Sequence, residues 1–82
     1  MRFMVNFSTR PGSEEAAVAL IPAEQARIRA LSEQGIVEAL YLATDRARGW
    51  LVMKSESLAQ AQEYLQTLPL HAYLEMDVIQ IR

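Results

Sequence analysis

The apolar positions change period along the chain, and each change marks an element. From Arg2 to Ser8, Phe3, Val5 and Phe7 alternate with Met4, Asn6 and Ser8, which is the two-residue period of a strand. Thr9-Arg10-Pro11-Gly12-Ser13 has turn chemistry, because proline fixes φ and glycine allows positive φ. Ser13 stands as a helix cap before Glu14 and Glu15, whose charge suits the positive end of a helix dipole. Pro22 interrupts the next stretch. Proline inside a helix removes a hydrogen bond and presses on the preceding turn, yet it fits the first helical position. The pattern therefore predicts a short helix near residues 13–20 and a main helix from Pro22 to Gln34. Ile21, Ile28 and Leu31 form a narrow apolar stripe along it, Glu24 falls on the same stripe, and Gly35 supplies a left-handed cap.

Ile36 to Ala43 reads as the second strand, Thr44 to Gly49 as a polar hairpin loop, and Trp50 to Lys54 as the returning strand. Ser57 caps a second helix in which Leu58, Ala61, Leu65 and Leu68 recur at helical spacing, and Pro69 stops it. Tyr73 to Ile81 is the last strand, with Leu74, Met76 and Val78 on one face and Tyr73, Ile79 and Ile81 offered to the other. Strand, helix, strand, strand, helix, strand is the ferredoxin-like βαββαβ order of the α+β class. Right-handed crossovers then predict an antiparallel sheet in spatial order 4-1-3-2 with both helices on one face. The strands are apolar on both faces and the helices cover only one. A second copy of the sheet is expected to cover the other, which makes a homo-oligomer, dimer or higher, built as a dimeric α+β barrel.

Length and composition sharpen this picture. Eighty-two residues suffice for one domain, 1–82, and a chain this short buries only about 60–65% of its unfolded surface, so a partner subunit is a natural supplement. The 51% hydrophobic content points the same way. The absence of cysteine excludes disulfides and thiolate metal sites, and a single histidine argues against an imidazole-rich one, so no metal is expected. A formal charge of −2 without a basic stripe is not the profile of a nucleic-acid binder. No segment approaches the roughly 18 apolar residues of a membrane span, and the first residues hold no apolar run of signal-peptide length. The expected setting is cytoplasmic, with a small-molecule ligand, no nucleic acid and no membrane.

The stretch Leu68-Pro69-Leu70-His71-Ala72-Tyr73-Leu74-Glu75-Met76-Asp77-Val78-Ile79-Gln80 resembles the end of muconolactone isomerase-like proteins, where a Leu-Pro-Leu helix stop precedes a final strand. Glu33-Gln34-Gly35 ending the first helix, the Leu-bearing strand after it and the Arg46 loop extend the likeness backwards. Ile21-Pro22-Ala23-Glu24-Gln25-Ala26-Arg27 also looks like small relatives of this family. The resemblance covers at least residues 20–81. It implies the dimeric barrel, often in larger rings, and a cofactor-free isomerisation in which a proton moves between carbons of a small lactone or related carbonyl compound. Such a reaction needs one base and a donor for the developing enolate oxygen. The chain departs from the catabolic enzyme where that enzyme has a first-strand histidine, here Met4, and where an aromatic residue follows Leu-Pro-Leu, here His71. The isomerase-like enzyme is therefore one of three functions the chain is read for. The alternatives are a non-catalytic oligomeric ligand-binding or assembly module and a cofactor-free monooxygenase-like barrel, because fold does not decide among them.

Glu24 is the candidate general base, since burial on the apolar stripe would raise its pKa toward a useful range. The competing role is a first-turn glutamate that favours the helix dipole and pairs with Arg27. His71, the only imidazole, is the candidate proton shuttle, or else a surface or subunit-contact residue in the loop after Pro69. Tyr41 and Tyr73 are candidate substrate-binding residues that can donate to an oxyanion, or else bury their rings and lodge the hydroxyl at an edge. Arg46 and Arg48 offer guanidinium forks to a small carboxylate, or simply decorate a solvated turn. Asn6, Glu38, Glu75 and Asp77 are polar residues on strands. Where they face a partner sheet they must be paired or line a wet cavity. Trp50, at the start of a strand, reads as a packing anchor rather than a ligand platform.

Overall fold

The computed structural model describes residues 1–45 and 47–82; Arg46, a predicted substrate-binding residue, lies outside the described residues. The chain forms β1 (Arg2–Thr9), α1 (Glu14–Glu33), β2 (Val37–Leu42), β3 (Arg48–Lys54), α2 (Leu58–Gln66) and β4 (Leu74–Ile81), with a single 3-10 turn at His71–Tyr73 before the last strand. The four strands make one antiparallel sheet in the order β2-β3-β1-β4, which is the predicted topology read from its other edge.

Pro22 does not divide the first helix as predicted. α1 is continuous over 20 residues with Pro22 inside it. The missing amide costs one bond, the one that would reach the carbonyl of Val18. Val18 is 63% exposed and Pro22 is also at the surface, so water can serve that carbonyl. Ser13 occupies the cap position but makes no side-chain capping bond; its carbonyl instead accepts from the Ala17 amide at 2.8 Å. At the other end Gly35, at φ +78, lets the Gly35 and Ile36 amides fold back onto the carbonyls of Ser32 and Leu31 at 3.0 and 2.9 Å. Ser57 caps α2 as expected, its hydroxyl accepting from the Gln60 amide at 3.0 Å. β3 begins at Arg48, two residues earlier than the apolar run implies, because Arg48 and Gly49 pair with Ser8 and Phe7 of β1.

The core lies between the helices and one face of the sheet. Phe3, Val5, Leu31 and Met53 are its largest fully buried side chains, joined by Val37, Leu51, Ala61, Leu65 and Leu68. Removing side chains of this kind from water contributes about 1.5–3 kcal/mol each. The predicted stripes hold where they meet the sheet and fade at their starts. Leu31 is buried and Ile28 packs on the core, whereas Ile21 is 38% exposed; Ala61, Leu65 and Leu68 are buried, whereas Leu58 is 46% exposed.

The face of the sheet away from the helices is ordered in rows by the strand register. Glu38, Lys54, Arg2 and Ile81 form one end; Ala39, Val52, Met4 and Ile79 form an apolar row; then come Tyr41, Trp50, Asn6 and Asp77, and finally Arg48, Ser8 and Glu75. Glu38 follows the core residue Val37 onto this face by alternation and pairs with Arg2 at 2.9 Å and Lys54 at 3.4 Å, and a bulge between Val37 and Ala39 turns Ala39 to the same face. Among the described residues no helix is long and apolar enough to cross a membrane.

Candidate functional site

Glu24 sits in the middle of α1, not in its first turn, because the helix starts ten residues earlier at Glu14. The dipole role considered for it therefore lapses. Its carboxylate reaches across to the segment after α2, where Oε1 accepts from the Leu70 amide at 3.0 Å. Burial there pushes its pKa above the ordinary glutamate value, and the bond from Leu70 pulls part of that back. Among the described residues it is the carboxylate whose pKa is raised; Glu38, held by hydrogen bonds from the Arg2 guanidinium and by Lys54, goes the other way. The predicted Glu24–Arg27 pair does not form. One helical turn on, Arg27 Nε donates instead to Thr67 Oγ1 at 3.0 Å, and that hydroxyl donates to the Tyr64 carbonyl at 2.6 Å. The pair Glu24 and Arg27 thus fastens α1 to the chain between α2 and β4.

Pro69 ends α2 as the sequence implies, and the loop it starts carries His71 to the surface. His71 edges a shallow groove of about 350 Å³ between α2 and β4, lined also by Gln62, Leu65, Gln66, Met76 and Val78. Glu24 is not among those lining residues: it reaches the same connection from α1, at Leu70, without sharing that wall with His71. Tyr73 is half-buried at the end of the 3-10 turn, its amide donating to the Leu70 carbonyl at 2.8 Å and its own carbonyl accepting from the Arg10 amide at 2.8 Å. Tyr41 is elsewhere: it pairs with Trp50 on the face away from the helices and is 61% exposed. Within one protomer the sheet separates it from Glu24. His71 and Tyr73 are therefore on the connection whose Leu70 amide Glu24 reaches from α1, while Tyr41 is on the other face of the sheet.

A second depression, also of about 350 Å³, opens on the helix-free face and is lined by Asn6, Ser8, Arg48, Trp50, Glu75 and Asp77 with main chain of the residues between them. Sequence reasoning marked most of these residues singly. It did not assemble them, because alternation assigns residues to a face of one strand while only the register between strands sets them side by side. The Leu70 amide was not legible at all, since main-chain donors carry no sequence signal. Among the described residues no group of three or more histidine, aspartate or glutamate side chains is placed to hold a metal ion.

Sheet order, helix placement and strand register define a ferredoxin-like α+β domain. The chain belongs to the muconolactone delta-isomerase family, which it matches over residues 1–82. Among solved structures it is similar to 5-chloro-2-hydroxyhydroquinone dehydrochlorinase from Burkholderia phenoliruptrix AC1100, in complex with 2,5-dihydroxybenzoquinone, at 18% identity and TM-score 0.84, covering 100% of this chain and 94% of that one. It is similar to a muconolactone isomerase at 19% identity and TM-score 0.77, covering 99% and 88%. An antibiotic biosynthesis monooxygenase matches less closely, at 11% identity and TM-score 0.57, covering 100% and 99%. At these identities the likenesses speak for the fold. No curated protein matches the chain.

Proposed function

We propose that this protein moves a proton, without a cofactor, on a small lactone or related carbonyl compound, and that Glu24 is the group that carries it. The single observation behind this reading is the half-buried Glu24 carboxylate, with its pKa raised by burial and one oxygen fixed by the Leu70 amide. A base for abstraction beside a carbonyl works best when its pKa lies nearer the operating pH, and burial shifts Glu24 in that direction. The Leu70 bond sets the orientation of the carboxylate and leaves the second oxygen to accept the proton and return it to another carbon. Tyr73 and His71, on the same connection, are the groups to supply a donor to the enolate oxygen. Membership of the muconolactone delta-isomerase family supports the substrate class.

The proposed working form is a homo-oligomer. The apolar row Ala39, Val52, Met4 and Ile79 on the helix-free face has the character of a surface that a second copy of the sheet covers.

A second reading, ligand binding without chemistry, draws on the same bond, because Glu24 also ties α1 to the loop. Purified protein incubated with muconolactone separates the two. Glu24→Gln keeps an oxygen that can accept from Leu70 but cannot carry the proton, so turnover should fall by about a hundredfold or more while the fold persists. Wild-type protein without turnover would remove the reaction, and equal rates in wild type and Glu24→Gln would remove the assignment of Glu24.

A further inference from the structure

We infer that the depression on the helix-free face of the sheet is a binding site for a small planar ring that carries a carboxylate at one end and a hydroxyl group at the other. It lies across the sheet from Glu24 and does not depend on the proton-transfer reading.

The register makes the site a grid of six side chains. Trp50, Asn6 and Asp77 form one cross-strand row, and Arg48, Ser8 and Glu75 form the next. Strands lie about 4.8 Å apart and same-face neighbours about 6.8 Å apart, so the grid measures about 10 by 7 Å, the footprint of one substituted six-membered ring. The volume of about 350 Å³ is at the small end of the range for ligand pockets. Phe7 and Met76 turn their side chains to the core on the other face, so what they bring to the floor is main chain.

The three columns differ in chemistry. The β3 column offers a guanidinium and a flat indole with one N–H donor. The β1 column offers an amide and a hydroxyl, each able to donate and accept. The β4 column offers two carboxylates, which only accept. A ligand laid across it meets a cation on one side and acceptors on the other. A carboxylate directed at Arg48, a ring packed against Trp50 and lying over Asn6 and Ser8, and a hydroxyl donating to Asp77 engage all three columns. A simple anion would face Asp77 and Glu75, and a simple cation would face Arg48.

These groups are not consumed by the fold. None of the hydrogen bonds among the described residues involves the side chain of Asn6, Ser8, Arg48, Trp50 or Asp77. Glu75 meets Arg10 only at 3.9 Å, with both side chains more than half exposed. The first end row of the same face is different, since Glu38 there is already taken by Arg2 and Lys54. Among the described residues no side-chain polar atom is buried without a partner, so these groups are open to solvent and free to meet a ligand.

Trp50 is the only tryptophan in the chain, so its fluorescence reports this site. Para-hydroxybenzoate titrated into the full protein should quench it saturably, with the same dissociation constant by calorimetry. Benzoate, which lacks the hydroxyl, should bind about tenfold more weakly to wild type, and the gap should close in Asp77→Ala, which leaves no acceptor there. Arg48→Gln should weaken both ligands about tenfold or more, and Glu24→Gln should leave both unchanged. Absence of saturable binding at millimolar ligand, equal affinity for the two acids in wild type, or unchanged affinity in Arg48→Gln would each overturn the inference. A face closed by side chains of a second copy gives the first of these results. Loss of binding in Glu24→Gln would move the ligand to the other face and also overturn it.

Discussion

Gly49 is the position at which one added carbon should cost most for its size. It lies in β3, paired with Phe7 of β1 and Leu42 of β2. A Cβ there would fall 2.5 Å from Phe7 Cζ, 2.9 Å from Phe7 Cε2 and 2.7 Å from the Tyr41 carbonyl oxygen. Carbon atoms prefer about 3.5–4.0 Å, so each contact is short by about 1 Å. The Phe7 ring can rotate away only by giving up its packing on the core. The Tyr41 carbonyl is main chain in the neighbouring strand and cannot turn away without shifting β2. Overpacking costs about 1–3 kcal/mol, and an obstacle made partly of main chain puts Gly49→Ala near the upper end, at about 3 kcal/mol. The backbone entropy recovered on replacing a strand glycine offsets about 0.5–1 kcal/mol of this. A net loss of about 2 kcal/mol lowers the melting temperature of a chain this size by about 8–16 °C. Urea unfolding followed by far-ultraviolet circular dichroism measures it, with protomer concentration held fixed because association would add to apparent stability. Phe7→Leu removes the ring but not the carbonyl. Gly49→Ala should therefore cost less in that background than alone, by about 1 kcal/mol, yet still more than nothing. A Gly49→Ala protein within about 0.5 kcal/mol of wild type, or strict additivity with Phe7→Leu, would refute the reasoning.

The charges and the exposed sheet give two further expected outcomes. The raised pKa of Glu24 means that the folded chain holds a proton the unfolded chain has released, so its contribution is present below the ordinary glutamate value and is lost as pH rises through its own. Glu38, with its pKa lowered chiefly by the Arg2 hydrogen bond, contributes above the ordinary value and loses that contribution as pH falls through its own. Glu24→Gln leaves Glu38 in place, so its stability relative to wild type should be greater near neutrality than at about pH 4, measured by urea midpoints; a difference constant with pH would contradict the shift. Ile79 is 49% exposed in the protomer, so Ile79→Lys should leave the fold within about 0.5 kcal/mol of wild type. On a covered face the same change buries an unpaired ammonium, so sedimentation should show wild-type oligomers and Ile79→Lys monomers; monomeric wild-type protein would refute the covered face.

The sequence by itself determined the order of elements and most of their faces. Alternation in β1, helical spacing in α2, Gly35 after α1 and Ser57 before α2 are local signals, and each acts through bonds within a few residues. The unbroken path of α1 through Pro22 was not legible, because a proline's cost depends on whether the orphaned carbonyl faces water, and that is set by which side of the helix docks. The chemistry divides along the same line. Glu24 could be singled out from its place on the stripe, but its partner is the main chain of Leu70, 46 residues away, and its raised pKa is a product of burial between two segments. Asn6, Arg48, Trp50 and Asp77 come from three strands. Each strand's period fixes the face a side chain points to, while only the pairing of β1 with β3 and β4 decides which side chains stand next to one another.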